Sequence, residues 1–406
     1  METHLAEFIK DTPDGREADA ILRSCVHCGF CTATCPTYQM LGDELDGPRG
    51  RIYLIKQVLE GAEATEKTRS HLDRCLTCRS CETTCPSGVT YHRLLDIGRD
   101  VIEQQVPRSP GEKAIRWTLR QVLPYRHRFG TLLKMGQLVR PLMPALLRKK
   151  IPARQQKLTR PSGSHKRVML ALEGCAQPSA TPNTEIAAAR VLDRLGITLI
   201  AAPAAGCCGA VDFHLGAHRA GLDFFKRNID AWWPAIEEGA EAIVISASGC
   251  GAMVKEYGHL LKDDPHYAAK AQRVTELAKD LSEVVAAEDL SKLRHKAHPA
   301  RLAFHCPCTL QHAQQLSGAV ENILQRLGFD LARTRDKHLC CGSAGTYSIL
   351  QPKMSRRLLK DKLDALSIDG PSVIATANIG CQLHLATEAK VPVHHWIELV
   401  DQATGA

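Results

Sequence analysis

The chain has 406 residues, more than one hydrophobic core normally serves, so two or three domains are expected. With 44% apolar and 24% charged residues it reads as globular rather than disordered, and no apolar run reaches the ~18 residues a membrane-spanning helix needs. The segment METHLAEFIKDTPDGREAD lacks the basic-then-apolar plan of a secretory signal, and seventeen cysteines, an odd number, cannot all pair within one chain. A cytoplasmic location is therefore expected, with the cysteines serving as metal ligands or redox thiols rather than structural bridges.

The first cysteines are Cys25, Cys28, Cys31 and Cys35, spaced C-x2-C-x2-C-x3-C and followed by Pro36; Cys75, Cys78, Cys81 and Cys85 repeat the spacing before Pro86. Two-residue steps wrap a tight loop around three corners of an iron-sulfur cube, and the fourth ligand must come from elsewhere. In two-cluster ferredoxins the fourth cysteine of each run serves the other cluster. The expected sets are then Cys25, Cys28, Cys31 and Cys85 for one [4Fe-4S] cluster, with Cys75, Cys78, Cys81 and Cys35 for the second. Paired C-x-x-C hooks also hold zinc, but zinc has no use for the third step and the proline.

Between the motifs lie 39 residues, including a helical pattern over Arg51–Glu60 and a second over Thr68–Arg74. Compact ferredoxins have a short β-rich linker here. The helical spacer is instead similar to the alpha-helical ferredoxin domains of respiratory dehydrogenase subunits, which implies such a domain over residues 1–105. Gly47 to Arg51 reads as a turn into the first helix, its arginines open between screening anionic clusters and simple solvation.

From Val106 to Leu170 there are sixteen Lys and Arg against one acid, Glu112, a local charge of +15 that leaves −7 for the rest of a chain whose formal charge is +8. Residues 106–165 are expected to form a basic linker that meets a membrane surface or an acidic partner. Nucleic acid is not expected, since no aromatic-interleaved recognition motif accompanies the charge. Within it Leu132, Leu133, Met135, Leu138, Val139, Leu142, Met143, Leu146 and Leu147 alternate with Lys134, Arg140, Arg148, Lys149 and Lys150, while Pro141 and Pro144 interrupt any long helix. A linker packed on the following domains is the alternative.

The remaining chain repeats itself at an offset of 131 to 133 residues: Cys175, Cys207-Cys208-Gly209 and Cys250 correspond to Cys308, Cys340-Cys341-Gly342 and Cys381. Two domains, 166–290 and 300–406, fit this better than a solenoid. Strand-like runs at Val168–Leu172, Thr198–Ala202 and Ala242–Ser246, with helical patterns at Thr184–Leu195 and Phe213–Glu238, predict a parallel α/β sheet. The second copy offers Leu302–His305, Asp330–Thr334 and Ser372–Ala377. In such sheets ligands lie beyond the carboxyl ends of the strands, where the cysteines of both copies fall, so each copy is expected to carry a metal or redox site. Cys306 is extra to the pattern and reads as a packed thiol, Met253 as core.

These CCG repeats joined to a ferredoxin domain resemble the family that includes heterodisulfide reductase subunits and the iron-sulfur subunits of glycerol-3-phosphate, lactate and glycolate dehydrogenases. The segments CVHCGFCTATCPTYQMLGDELDGPRGRIYLIKQ, LEGCAQPSATPNT, GCCGAVDFH, FHCPCTLQHAQ and CCGSAGTY are most similar to its glycolate oxidase branch. The overall fold implied is α+β and multidomain, an alpha-helical ferredoxin domain followed by two repeated α/β cysteine-rich domains. The family's pattern closes with C-x-x-C, whereas Met253 and His384 stand at the closing positions here. That leaves Cys175, Cys207, Cys208 and Cys250, then Cys308, Cys340, Cys341 and Cys381, with His384 as a further candidate ligand, for a cubane cluster, zinc or free thiols.

The resemblance implies an iron-sulfur electron-transfer subunit of a flavin-dependent glycolate dehydrogenase complex. Its partners would be an FAD-containing subunit of the same complex and a quinone or membrane electron acceptor, with the complex in the cytoplasm or peripheral on the cytoplasmic face of the inner membrane. The chain has no P-loop or dinucleotide fingerprint, so hydride chemistry is expected on another chain and no catalytic residue is assigned here. The alternatives are the equivalent lactate or glycerol-3-phosphate subunit, and a thiol-disulfide catalyst built on the CCG cysteines.

Overall fold

The computed structural model describes residues 1–293 and 300–405, the side chains of Ala145 and Leu146 excepted. The chain forms two compact units, Met1–Trp117 with His338–Leu358, and Thr118–Lys337 with Leu359–Ala406.

The first unit is helical. Pro13–Ser24 begins on Thr12, whose side chain accepts from the Gly15 amide. Pro48–Leu59 starts three residues before the expected Arg51, because Pro48 suits a first helical position; the stretch read as a turn is that helix's first turn. Gly50 is required within it, since a Cβ there would stand 2.1 Å from the Glu44 carbonyl oxygen. Glu66–Asp73 enters through a reciprocal Thr65–Thr68 capping pair. With Tyr91–Gln105, these helices bury Leu22, Ile55, Leu59, Leu94, Leu95 and Ile102 in one core. His338–Leu358 packs here too: the Tyr347 hydroxyl donates to the Arg74 carbonyl at 3.1 Å and Arg357 to that of Met40 at 3.1 Å.

In the second unit, four strands form a parallel sheet in the order β2-β1-β3-β4: β1 Arg167–Ala171, β2 Ile197–Ala201, β3 Ile243–Ile245 and β4 Ala278–Asp280. A second parallel sheet runs β5-β6-β7: β5 Leu302–His305, β6 Val373–Thr376 and β7 Val393–His395. The expected strand Asp330–Thr334 does not form. Leu331 makes a single bridge to Leu302, and only Ala332 of that stretch is buried, too little apolar surface to hold a strand. The expected helix Phe213–Glu238 is two helices, Ala210–His214 and His218–Glu237, parted at Gly216, whose φ of 80° ends the first.

One core of this unit joins both sheets: Val191 and Leu192 of the helix Asn183–Arg194 share it with Trp396, Ile397 and Val400. Polar bonds reinforce the join. Thr184 bonds Glu398, His395 Nε2 donates to the Ser246 carbonyl at 2.9 Å, and Arg194 reaches Asp401 at 2.8 Å.

The basic segment is mostly helix, as Pro110–Val122 and Arg126–Val139, followed by the short turns Arg140–Leu142 and Ala145–Arg148 about Pro141 and Pro144. In the second unit Arg120 pairs with Asp212 at 2.7 Å and Arg126 with Glu173 at 3.1 Å, while Gly130 is buried against Ser179. The opposite face is open: Leu132, Met135, Leu138, Val139 and Leu142, at helical spacing, are 52%, 60%, 81%, 44% and 88% exposed. Among the described residues no helix is long and apolar enough to cross a membrane.

Candidate metal centres

Each ferredoxin-type loop is coiled by two residues in the left-handed region, at matching places: His27 and Gly29 (φ 57° and 86°) after Cys25, then Thr77 and Arg79 (φ 52° and 59°) after Cys75. Non-glycine residues rarely adopt this conformation, and three of these four do so. The coil turns successive thiols inward and aims amides at sulfur; the Thr77 N–H lies 3.4 Å from Cys75 Sγ.

The thiols surround two cavities. Cys25, Cys28, Cys31 and Cys85 line the first, with Val26, Pro48, Ile52, Pro86 and Val89. Cys35, Cys75 and Cys78 line the second, with Leu76 and Arg51; Cys81, Pro48 and Tyr91 border both cavities. The thiols that act on Cys81 are Cys78, Cys75 and Cys35, so it stands with the second group, while those that act on Cys31 are Cys25, Cys85 and Cys28. The fourth cysteine of each motif thus stands with the three thiols of the other motif.

Burial pushes the Cys31 thiol up to about 11 and the Cys81 thiol well above its ordinary value. Thiolates grouped in an apolar pocket are costly without a cation, and four sulfur donors about each space match the chemistry of an iron-sulfur cube. The residues present fit the group.

The two arginines left open between two roles divide. Arg49 is 35% exposed at its side chain and paired with Glu44 at 2.6 Å beside the first cavity. Arg51 is fully buried on the wall of the second, donating from Nε to the His71 carbonyl at 2.7 Å and from Nη1 to Thr37 Oγ1 at 3.1 Å. Burial works against its charge, but Cys75, Tyr91, Cys35 and Asp46 outweigh burial and hold its pKa above the ordinary value.

In the first repeat, Cys175, Cys207, Cys208 and Cys250 follow β1, β2 and β3 and meet as a hydrogen-bonded series, Cys175 to Cys207 to Cys208 to Cys250. The bond to Cys207 and burial push the Cys175 thiol well above its ordinary value; in Cys207 and Cys208 the bond from the preceding cysteine lowers the pKa, but the bond to the next cysteine and burial outweigh it and the thiols stay well above their ordinary value. Gly209, at φ 83°, allows the double-cysteine turn, because a Cβ there would sit 2.5 Å from the Phe225 ring. The turn is pinned by buried Asn228, which donates to the Cys207 carbonyl at 2.8 Å, and by Tyr257, whose hydroxyl donates to the Cys208 carbonyl at 2.9 Å. No local pattern in the sequence singles out either residue. Close by, Glu185 accepts from Ser246 and from Gln177 at 2.6 Å; desolvation raises its carboxyl to about 7.

Residues 21–89 match a 4Fe-4S dicluster domain, and residues 169–255 and 302–386 each match the CCG cysteine-rich domain. The chain is 60% identical over 404 residues to the glycolate oxidase iron-sulfur subunit of Escherichia coli, covering 99% of each chain. It is 31% identical over 421 residues to the probable glycolate oxidase iron-sulfur subunit of Bacillus subtilis, covering 95% of this chain and 94% of that one. The chain belongs to the glycolate oxidase iron-sulfur subunit family. Lactate utilization protein A of Bacillus subtilis is 25% identical over 232 residues, 54% of this chain and 92% of its own length. The family is that of an oxidoreductase subunit carrying iron-sulfur clusters, and the dicluster match supports electron transfer.

The second repeat of this family member differs from the first. Cys308 follows β5 and Cys381 follows β6, on the helix Ile379–Ala386. A ring nitrogen of His305 lies within 4.8 Å of the Cys381 thiol; its Nδ1 is 3.1 Å from Thr376 Oγ1 and its Nε2 is buried without a hydrogen-bond partner among the described residues. Burial, helped by Lys362, lowers this imidazole to about 3, so it is neutral. His384, the histidine suggested by the sequence, is half-buried on the same helix as Cys381. Cys306 is buried in the core that joins the sheets, and Met253 lies in the core of the first repeat. In the first unit, Cys340-Cys341-Gly342 forms the equivalent turn, with Gly342 at φ 87°, its amide 3.4 Å from Cys340 Sγ and its carbonyl accepting from Ser355 at 2.7 Å.

Proposed function

We propose that this chain is the electron-transfer subunit of a glycolate dehydrogenase complex, in which glycolate is oxidised to glyoxylate on a separate FAD-containing subunit and electrons pass toward quinone. The observation that carries the reading is the grouping of eight thiols, four about each of two cavities, in a chain 60% identical over 99% of its length to a glycolate oxidase iron-sulfur subunit.

In this reading Cys25, Cys28, Cys31 and Cys85 hold one [4Fe-4S] cluster and Cys35, Cys75, Cys78 and Cys81 the other. Such a cluster, when bound, takes up and gives back one electron at a time. The chain's own part is to fix the thiols by its left-handed loop residues, to exclude water with Ile52, Val89 and Leu76, and to direct the Tyr91 hydroxyl at Cys75 Sγ, 3.7 Å away. The four thiols of the first repeat, and Cys308, Cys340, Cys341 and Cys381 of the second, are proposed as further metal or redox positions. The domain limits proposed are the helical ferredoxin domain at 1–105, the basic segment at 106–165 and cysteine-rich domains at 166–290 and 300–406.

The exposed stripe from Leu132 to Leu142, beside Lys134 and the cationic run Arg148 to Lys150, supports peripheral attachment to the cytoplasmic face of an anionic membrane. Release of the complex from membrane vesicles by strong salt is the expected result; unchanged sedimentation would remove the electrostatic part of this reading. For the substrate, the chain is mixed in turn with flavin subunits that oxidise glycolate, lactate or glycerol-3-phosphate, and quinone reduction is followed. Turnover with the glycolate partner is expected, and turnover with the lactate partner alone would overturn the assignment.

A further inference from the structure

The two cavities present the same sulfur donors in different electrostatic surroundings. Beside the second, Arg51 is 0% exposed, and its Nη1 donates to Thr37 Oγ1 at 3.1 Å, an oxygen itself 3.2 Å from the Cys35 sulfur. Tyr91, buried where both cavities meet, donates its hydroxyl to a thiol of the second, Cys75 Sγ, at 3.7 Å. Asp46 leaves much of the arginine's charge uncancelled: its carboxylate is 3.4 Å from Arg51 but is shared with Arg74 at 2.8 Å and His71 at 3.0 Å.

Among the described residues, the first cavity is lined by no fully buried cation. Arg49, which lines it, is partly exposed and paired with Glu44 at 2.6 Å, and the Met1 ammonium, also partly exposed, rests on the Cys25 carbonyl at 2.8 Å. Cys28 is itself exposed, as are Val26 and Phe30 at the loop surface.

A buried charge acts on its neighbour several-fold more strongly than one in water, because little solvent screens it. Reduction adds one negative charge to a cluster, so a nearby buried cation and hydrogen bonds to its sulfurs favour the reduced state. We propose that Arg51, together with Tyr91, holds the second cluster at a higher reduction potential than the first, so that an electron entering at the exposed first cavity comes to rest at the second. The proposal rests on reading both cavities as cluster sites, and its test keeps the two apart.

The full chain, purified anaerobically, is assayed for iron and sulfide and then titrated potentiometrically with the paramagnetic signals of the reduced clusters as readout. In Arg51→Met the higher of the two midpoints is expected to fall by at least tenfold in its reduction equilibrium, about 59 mV for one electron. Arg51→Lys should recover most of that fall, and Tyr91→Phe should lower the same midpoint by less. An arginine needed only to brace Asp46 and His71 would lower thermal stability and move neither midpoint. Wild-type iron content with both midpoints unmoved, or a fall in the lower midpoint instead, overturns the proposal. If Arg51→Met does not retain its iron, Tyr91→Phe decides by the same criterion. Wild-type chain without about eight irons would sink the cluster reading itself rather than this inference.

Discussion

Four thiols can be gathered in two physically different ways, and this chain uses both. About the ferredoxin cavities the sulfurs stand around a space, held apart by loops coiled through left-handed residues. In the first cysteine-rich repeat they hydrogen-bond to one another in series, on a turn pinned by Asn228 and Tyr257. The first arrangement presents donors to a large inorganic group. The second is internally satisfied, and a metal there would have to displace S–H bonds and protons from thiols that burial and their mutual bonds already hold protonated.

The largest effect that would sharpen this contrast comes from exchanging ligands across the motifs. Cys85→Ser lies in the second motif but is expected to remove the first cluster, taking iron from about eight to about four per chain. Cys35→Ser, in the first motif, should remove the second cluster and its distinct midpoint. Loss from Cys85→Ser of the signal that Cys75→Ser also removes would mean that each motif binds its own cluster. Cys208→Ser is expected to leave both signals in place.

A smaller effect tests the pinned turn. Gly209→Val combines a φ of 83° with a Cβ 2.5 Å from Phe225 and 2.9 Å from the Gly221 carbonyl, and should cost on the order of 2–4 kcal/mol in thermal unfolding. Gly42→Ala, also at positive φ but with nothing within 4 Å, should cost about 1 kcal/mol. Equal losses for the two would show that close packing at the double-cysteine turn is unimportant.

The smallest effect is a pH dependence set in the first cysteine-rich repeat. Glu185 is raised by burial to about 7 from 4.5, so between those values the folded chain binds more protons at this site than the unfolded chain. The stability it contributes is therefore present when protonated and falls as pH rises from about 5 to 8, by on the order of 2–3 kcal/mol. Glu185→Gln should lack this fall. A variant whose unfolding free energy follows the wild-type pH curve would mean that the carboxylate is accommodated without cost.

Much of this was legible in the sequence because it depends on short-range order. The C-x2-C-x2-C-x3-C-P spacing indicated both cysteine groups, and alternating apolar runs located β1, β2, β3, β5 and β6 within one or two residues. The three-residue strands Ala278–Asp280 and Val393–His395 are too brief to show a period, and Asp330–Thr334 had a strand-like composition without the buried surface to pair. The different roles of Arg49 and Arg51 were not legible either. They stand two residues apart on one helix, and which is buried depends on Thr37, Asp46 and His71, which only the fold brings together. The same holds for His305, which precedes an expected cysteine position and gains its interest only from Cys381, far along the chain.

The central claim, that the eight N-terminal thiols enclose two iron-sulfur cubes, is tested most directly by measuring iron, acid-labile sulfide and zinc per full-length chain after anaerobic purification. About eight irons with matching sulfide are expected, rising to about twelve to sixteen if the repeats are also filled. A colourless preparation with zinc and no sulfide would contradict the account.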